Sequence, residues 1–163
     1  MPRQLSFIRG AEKQEILEML KYYGIEDLKG WLLTESGKEK IRAYSGNLTP
    51  EQIMNIHEAA GIDLIGLYLL HKYPSNIRLS FDAVHALKSQ ITKNVFELSD
   101  KHAEEFMKGR DIALSKEEVE ALKAKGEKTG FKILKYKKDF IGTGKLTEEG
   151  RIVNYMPKER RTR

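Results

Sequence analysis

The run Phe131-Lys-Ile-Leu-Lys-Tyr136, Lys137-Lys138-Asp139, Phe140-Ile-Gly-Thr-Gly-Lys-Leu146, Thr147 to Gly150, Arg151-Ile-Val-Asn-Tyr-Met156 decides the fold class. Its pieces are short and rich in β-branched and aromatic residues, with turn chemistry between them, so it predicts strands joined by tight turns. Pro157 lacks the backbone N–H a ladder needs and ends regular pairing. Upstream, Val95-Phe-Glu-Leu98 reads as a further strand. Ser99 caps a helix that buries Ala103 and Phe106, with Met107 left open between that face and the surface, and Gly109 stops it. Ser115-Lys-Glu-Glu118 is a capping box opening a helix through Lys125, with Val119 and Leu122 inward.

The preceding residues read differently. Ala11 to Tyr23 places Ile16, Leu17, Leu20 and Tyr23 on one helical face, and Gly24 stops it. Trp31 to Thr34 and Ile41 to Tyr44 flank Glu35-Ser-Gly-Lys38 as a β-hairpin. Thr49-Pro50-Glu51-Gln52 combines an N-cap, a proline at N1 and a closing Gln, predicting a helix to Ala60. Asp63 to His71 reads as a strand with Gly66 inside as a bulge, Ile77-Arg-Leu79 as a strand, and Ser80 as the cap of a helix through Leu87. The expectation is an α+β protein: a small N-terminal α/β domain over 1–91, packed on a C-terminal β-rich domain over 92–163.

Charge separates the same two segments. Residues 1–91 hold 11 basic and 11 acidic side chains, while residues 92–163 hold 18 against 13. Within 130–163 the count is 10 against 4, which points to a polyanion partner for the C-terminal segment, the alternative being a solvated surface. The 163 residues contain no cysteine, which removes disulfides, thiolate metal sites and cysteine nucleophiles. His57, His71, His85 and His102 lie too far apart to pair as metal ligands on one helix, so no metal and no cofactor is expected. Gly126-Glu-Lys-Thr-Gly130 leads into a strand and lacks the order of a phosphate loop. No apolar run approaches the ~20 residues of a membrane helix, and Met1-Pro-Arg-Gln4 lacks the apolar core of a secretion signal. A cytoplasmic protein with no membrane partner is expected.

Three basic segments are candidate contacts. Gly109 releases the chain so that Met107, Lys108 and Arg110 form an exposed corner; cations there suit phosphate and the Arg plane can stack on a base. The same residues also fit an ordinary helix C-terminus complementing its dipole. Lys137 and Lys138 form a hairpin tip. Lys158-Glu-Arg-Arg-Thr-Arg163 is a basic tail, with Lys158, Arg160 and Arg161 as either a phosphate-binding arm or a frayed end, behind the apolar surface of Tyr155-Met-Pro157. Gly142-Thr143-Gly144 sits inside a strand pattern, where paired glycines let another backbone or a ligand approach.

These segments, Ser99-Asp-Lys-His-Ala-Glu-Glu-Phe-Met-Lys-Gly-Arg-Asp111, Gly130 to Tyr136, Phe140-Ile-Gly-Thr-Gly-Lys145 and Asn154-Tyr-Met-Pro-Lys-Glu-Arg-Arg161, in their order and spacing, resemble the PUA-type domain appended to Nop2/Sun-like RNA 5-methylcytosine methyltransferases. The resemblance implies a small pseudo-barrel that recognises structured RNA through the groove beside its first helix and a late strand. Carried over, it implies Met107, Lys108, Gly109, Arg110, Gly142, Thr143, Gly144 and the terminal basic residues as contacts. It also implies an α/β segment before the domain. Those enzymes need a cysteine nucleophile and a Gly-rich loop for S-adenosylmethionine, and these residues contain neither, so no catalysis of that kind is expected. The expected function is a non-catalytic adaptor for rRNA or tRNA modification or ribosome biogenesis, with a separate RNA methyltransferase or ribosome-assembly factors as protein partners. The alternatives are a protein–protein interaction module and, last, an enzyme on a small phosphorylated substrate.

Overall fold

The structure, a computed structural model, describes residues 4–28 and 30–163; Met1, Pro2, Arg3 and Lys29, and with them most of the N-terminal stretch read above for a leader, lie outside the described residues. The chain divides into two compact units, Met1–Gln90 and Ile91–Arg163. Both are mixed α/β, with one five-stranded sheet each among the described residues.

In the first unit β1 (Ser6–Ile8), β2 (Leu32–Glu35), β3 (Lys40–Tyr44), β4 (Leu67–Lys72) and β5 (Ile77–Leu79) pair in sequence order, all antiparallel. Alternation sends Ile41, Leu70 and Leu79, which face one another across three strands, into the core. Helix α1 (Gly10–Leu20) adds Ile16 and Leu20 to that core, and a 3-10 turn over Lys21–Tyr23 ends at Gly24 with φ +86°. Buried Tyr23 donates its hydroxyl to the Ile77 carbonyl at 2.7 Å. Thr49 and Gln52 close the capping box of α2 (Pro50–Ala60), and Ser80 caps α3 (Phe81–Ala86). The strand expected from Asp63 begins only at Leu67. Gly66, at φ +76°, turns the chain in, and a Cβ there would overlap the Ala43 carbonyl. The register irregularity lies between Ile41 and Arg42, opposite Leu69, and not at Gly66.

In the second unit β6 (Val95–Glu97) runs parallel to β8 (Gly130–Tyr136); β9 (Asp139–Leu146), β10 (Arg151–Asn154) and β7 (Ile112–Ala113) follow antiparallel, giving the order β6-β8-β9-β10-β7. Ser99 caps α4 (Asp100–Met107), and the Ser115–Glu118 box opens α5 (Lys116–Ala124). Phe106, Ile112, Ile133, Leu134 and Ile152 form the core. Val119 and Leu122, expected inward, are half-buried instead: they line an open cleft of about 370 Å³ with Leu146 and Gly150. Lys132 lies inside the sheet at 1% exposure, its ammonium held by Glu127 at 2.5 Å and Asn94 at 3.1 Å.

Candidate nucleic-acid interface

The C-terminus of α4 is shaped by a glycine. Gly109 has φ +80°, and its N–H bonds the Phe106 carbonyl at 2.9 Å while the Arg110 N–H bonds the Glu105 carbonyl at 3.0 Å. This pair of backward bonds closes the helix and throws Arg110 outward. The tail then returns to this corner. After Pro157 a 3-10 turn over Lys158–Arg160 brings the Thr162 N–H to the Met107 carbonyl at 2.8 Å, and Arg161 Nε donates to the Met156 carbonyl at 3.2 Å. Arg161 lies against Gly109 so closely that a Cβ at 109 would overlap its Cδ and Nε. Residues 158–162 are therefore folded against the helix end, and the frayed tail is replaced by a docked one.

One residue that sequence reasoning passed over ties the corner together. Asn154, at the end of β10, donates its side-chain amide to the Phe106 and Arg110 carbonyls, both at 2.8 Å, and accepts from the Met156 N–H at 2.8 Å. Its own N–H meets Asp111 Oδ1 at 2.9 Å. The helix end, β10 and the tail thus share one side chain. An Asn at a strand end carries no local mark of this, because all three partners are backbone groups.

Met107, Lys108 and Gly109 are half-buried and Arg110 exposed at this corner, with Lys158, Arg160 and Arg161 exposed beside them. The cations are not bare. Lys108 pairs with Glu104 at 2.6 Å, which holds the Glu104 carboxyl below its usual range, chiefly through that hydrogen bond. Arg110 Nη1 contacts both Glu105 oxygens at 3.1 and 3.3 Å. Met156, expected at the surface, is 3% exposed, and Tyr155 packs its ring edge-on to Phe131, 5.8 Å between centroids.

Lys137 and Lys138 occupy the β8–β9 tip, at the other end of α4: Tyr136 donates its hydroxyl to Asp100 at 2.7 Å. The Lys137 ammonium stands 4.9 Å above the Tyr136 ring, and its hydrogen bond to that residue raises its proton affinity. The eight residues of α4 set its two ends about 12 Å apart. Gly142, Thr143 and Gly144 lie inside β9 and are buried, Thr143 at 3% exposure. Gly144 has a packing reason: a Cβ would overlap Ile152 and press on Leu134. Backbone links them toward the corner, where the Tyr155 N–H meets the Thr143 carbonyl at 3.3 Å. His102, 8% exposed, contacts Glu118 at 2.8 Å and links α4 to α5. Among the described residues no group of three or more His, Asp or Glu could hold a metal, and no helix is long and apolar enough to cross a membrane.

Residues 93–162 match the family described as the methyltransferase RsmF PUA domain. A relative, the ribosomal RNA small subunit methyltransferase F of Shewanella halifaxensis (strain HAW-EB4), is 28% identical over 149 residues, covering 91% of this chain and 28% of its own length. The chain thus spans little more than a quarter of that relative. The match reaches well into the first unit as well as across the second. Over residues 93–162 the second unit is thus similar to the PUA domain of methyltransferase RsmF, and a small α/β unit precedes it in the chain.

Proposed function

We propose that this chain binds structured RNA, rRNA or tRNA, through the corner at the end of α4, as a non-catalytic part of RNA modification or ribosome biogenesis. The observation that carries the reading is the docked tail, which sets Lys158, Arg160 and Arg161 beside Met107, Lys108 and Arg110, residues far apart in sequence. Cations converging on one exposed corner suit phosphates, and a guanidinium plane beside a half-buried methionine suits an unstacked base. Methyl transfer onto a pyrimidine by a cysteine nucleophile has no nucleophile in these 163 residues. The chemistry, where it occurs, belongs to another active site. Leu48, Ile56, Ile62 and Leu64, exposed around α2, favour a protein contact of the first unit, such as one with a separate methyltransferase or assembly factor.

Titration of rRNA or tRNA stem-loops at low salt tests the reading. Lys108→Ala with Arg110→Ala should weaken binding and flatten the salt dependence by roughly 0.7–0.9 log units per lost phosphate contact. Absence of any binding at low salt would refute it.

A further inference from the structure

The net charge of the first unit is balanced, but the fold sorts it. Lys40, His71 and Arg78 are direct cross-strand partners on β3, β4 and β5. They lie on the face opposite the core row of Ile41, Leu70 and Leu79. Lys72, on the core side of β4, reaches Glu15 of α1 at 3.4 Å, so that helix covers the other face. Two tyrosines join the outer row. The Lys40 ammonium is 5.7 Å from the centre of the Tyr68 ring, and Arg78 hydrogen-bonds to Tyr68. Tyr73 sets its ring 4.4 Å from His71, tilted by 47°. Lys40 is exposed, and Tyr68, His71, Tyr73 and Arg78 are half-buried. Glu39 lies against this row, 3.1 Å from His71 Nε2 and itself 65% exposed.

We propose that this outer face, carried by Lys40, Tyr68, His71, Tyr73 and Arg78, is a second RNA site, one that takes a single-stranded segment. The chemistry is specific to that partner. Rings on a sheet offer flat surfaces for bases, and cations interleaved with them meet the phosphates between bases. Bases in a duplex are stacked on one another and do not reach such rings, so the segment is unpaired. A sheet face of this width holds two or three bases. The site is distinct from the α4 corner: it lies wholly in the first unit, and its row is built by strand register, whereas the corner is built by a glycine and a returning tail. The inference shares with the proposed function only the premise that the chain binds RNA.

The test uses the full chain and two probes, a short oligouridylate bearing 4-thiouridine and an rRNA stem-loop without single-stranded ends. Irradiation should crosslink the oligouridylate to peptides containing Tyr68 or Tyr73. Tyr68→Leu should weaken oligouridylate binding roughly 5-fold or more, the loss expected for one stacked base. Lys40→Gln should lower the salt slope by about 0.7. Both should leave stem-loop affinity unchanged, while Arg110→Ala should do the reverse. Crosslinks confined to residues 91–163, or parental oligouridylate affinity in both variants at an unchanged melting temperature, would overturn the proposal. Should Tyr68→Leu lower the melting temperature, the crosslink map on the unsubstituted protein decides. Failure of the unsubstituted protein to bind the stem-loop while it binds the oligouridylate counts against the corner and supports a separate site in the first unit.

Discussion

Replacing Gly109 by Ala separates two effects that meet at the corner. At φ +80° a Cβ costs about 1–2 kcal/mol relative to glycine, partly offset by a stiffer unfolded chain worth about 0.4–1 kcal/mol. The net loss is therefore about 1 kcal/mol, a drop of roughly 2–8 °C in Tm according to whether the unit melts alone or with the chain. The second effect is local. The new methyl would occupy the space of Arg161 Cδ and Nε, the far part of a flexible side chain, which moves away at little cost but gives up its bond to the Met156 carbonyl. On the proposed reading the guanidinium is then misplaced for phosphate. Gly109→Ala and Arg161→Ala should each lower the salt slope for stem-loop RNA by roughly 0.7–0.9, and the double variant should lose no more than either alone. In denaturation, removing Arg161 first should leave only the backbone cost of Gly109→Ala. Urea unfolding of the four proteins, paired with RNA titrations at several salt concentrations, measures both cycles. A parental salt slope in Gly109→Ala, or additive losses in the double variant, would refute the argument that glycine is there to seat Arg161.

Three further outcomes follow from named contacts. Asn154→Ala leaves the Arg110 carbonyl and the Met156 N–H without this partner and takes one of two donors from the Phe106 carbonyl, and should lower stability by about 2–3 kcal/mol, read as a fall in the urea midpoint at constant slope. The Glu118 carboxyl is held below its usual range, first by the Ser115 N–H and then by His102, so its contribution is present above the unfolded value near pH 4.3 and is lost as pH falls through the folded one. Melting temperatures from pH 7 to 3 should fall less steeply in Glu118→Gln below about pH 5 and run parallel above it. Glu104→Gln and Glu105→Gln release Lys108 and Arg110 from exposed pairs, and should raise stem-loop affinity by up to about 5-fold in the same titration.

Local signals were legible and distant ones were not. The Thr49, Ser80, Ser99 and Ser115 caps, and the Gly24 and Gly109 stops, each depend on neighbours within a few residues, and each stands where the sequence predicts it. Strand β1 escaped notice because three residues carry no periodicity, and its partner Leu33–Glu35 lies across a helix. Strand β7, two residues long, exists because β10 offers an edge to Ile112 and Ala113. Lys132 breaks the alternation that would have put it outside: Phe131, Lys132, Ile133 and Leu134 are all buried, so one cation of the basic segment is structural. Gly109 itself could be read as a helix stop, but nothing near it announces Arg161, which is 52 residues on.

A positive charge count overstates what a polyanion would meet. Of the ten basic residues in 130–163, Lys132 is inside, Lys135 and Arg151 stand 3.7 and 3.5 Å from Glu97 and Asp111, and Lys145 lies 5.6 Å from the Phe131 ring centre. The others gather toward the two ends of α4, and those ends differ electrically. The C-terminus of a helix carries a partial negative charge that disfavours phosphate, so the corner depends on Lys108, Arg110 and the docked tail to reverse it. The N-terminus carries the opposite sign, and Lys137 and Lys138 project near it, but Asp100 occupies it in a bond to Tyr136. On the proposed reading the two ends therefore divide the work. The tip supplies diffuse attraction with little geometric demand. The corner, where Asn154 and the tail fix the backbone and Met107 adds an apolar wall, is the end able to hold one nucleotide in a defined orientation.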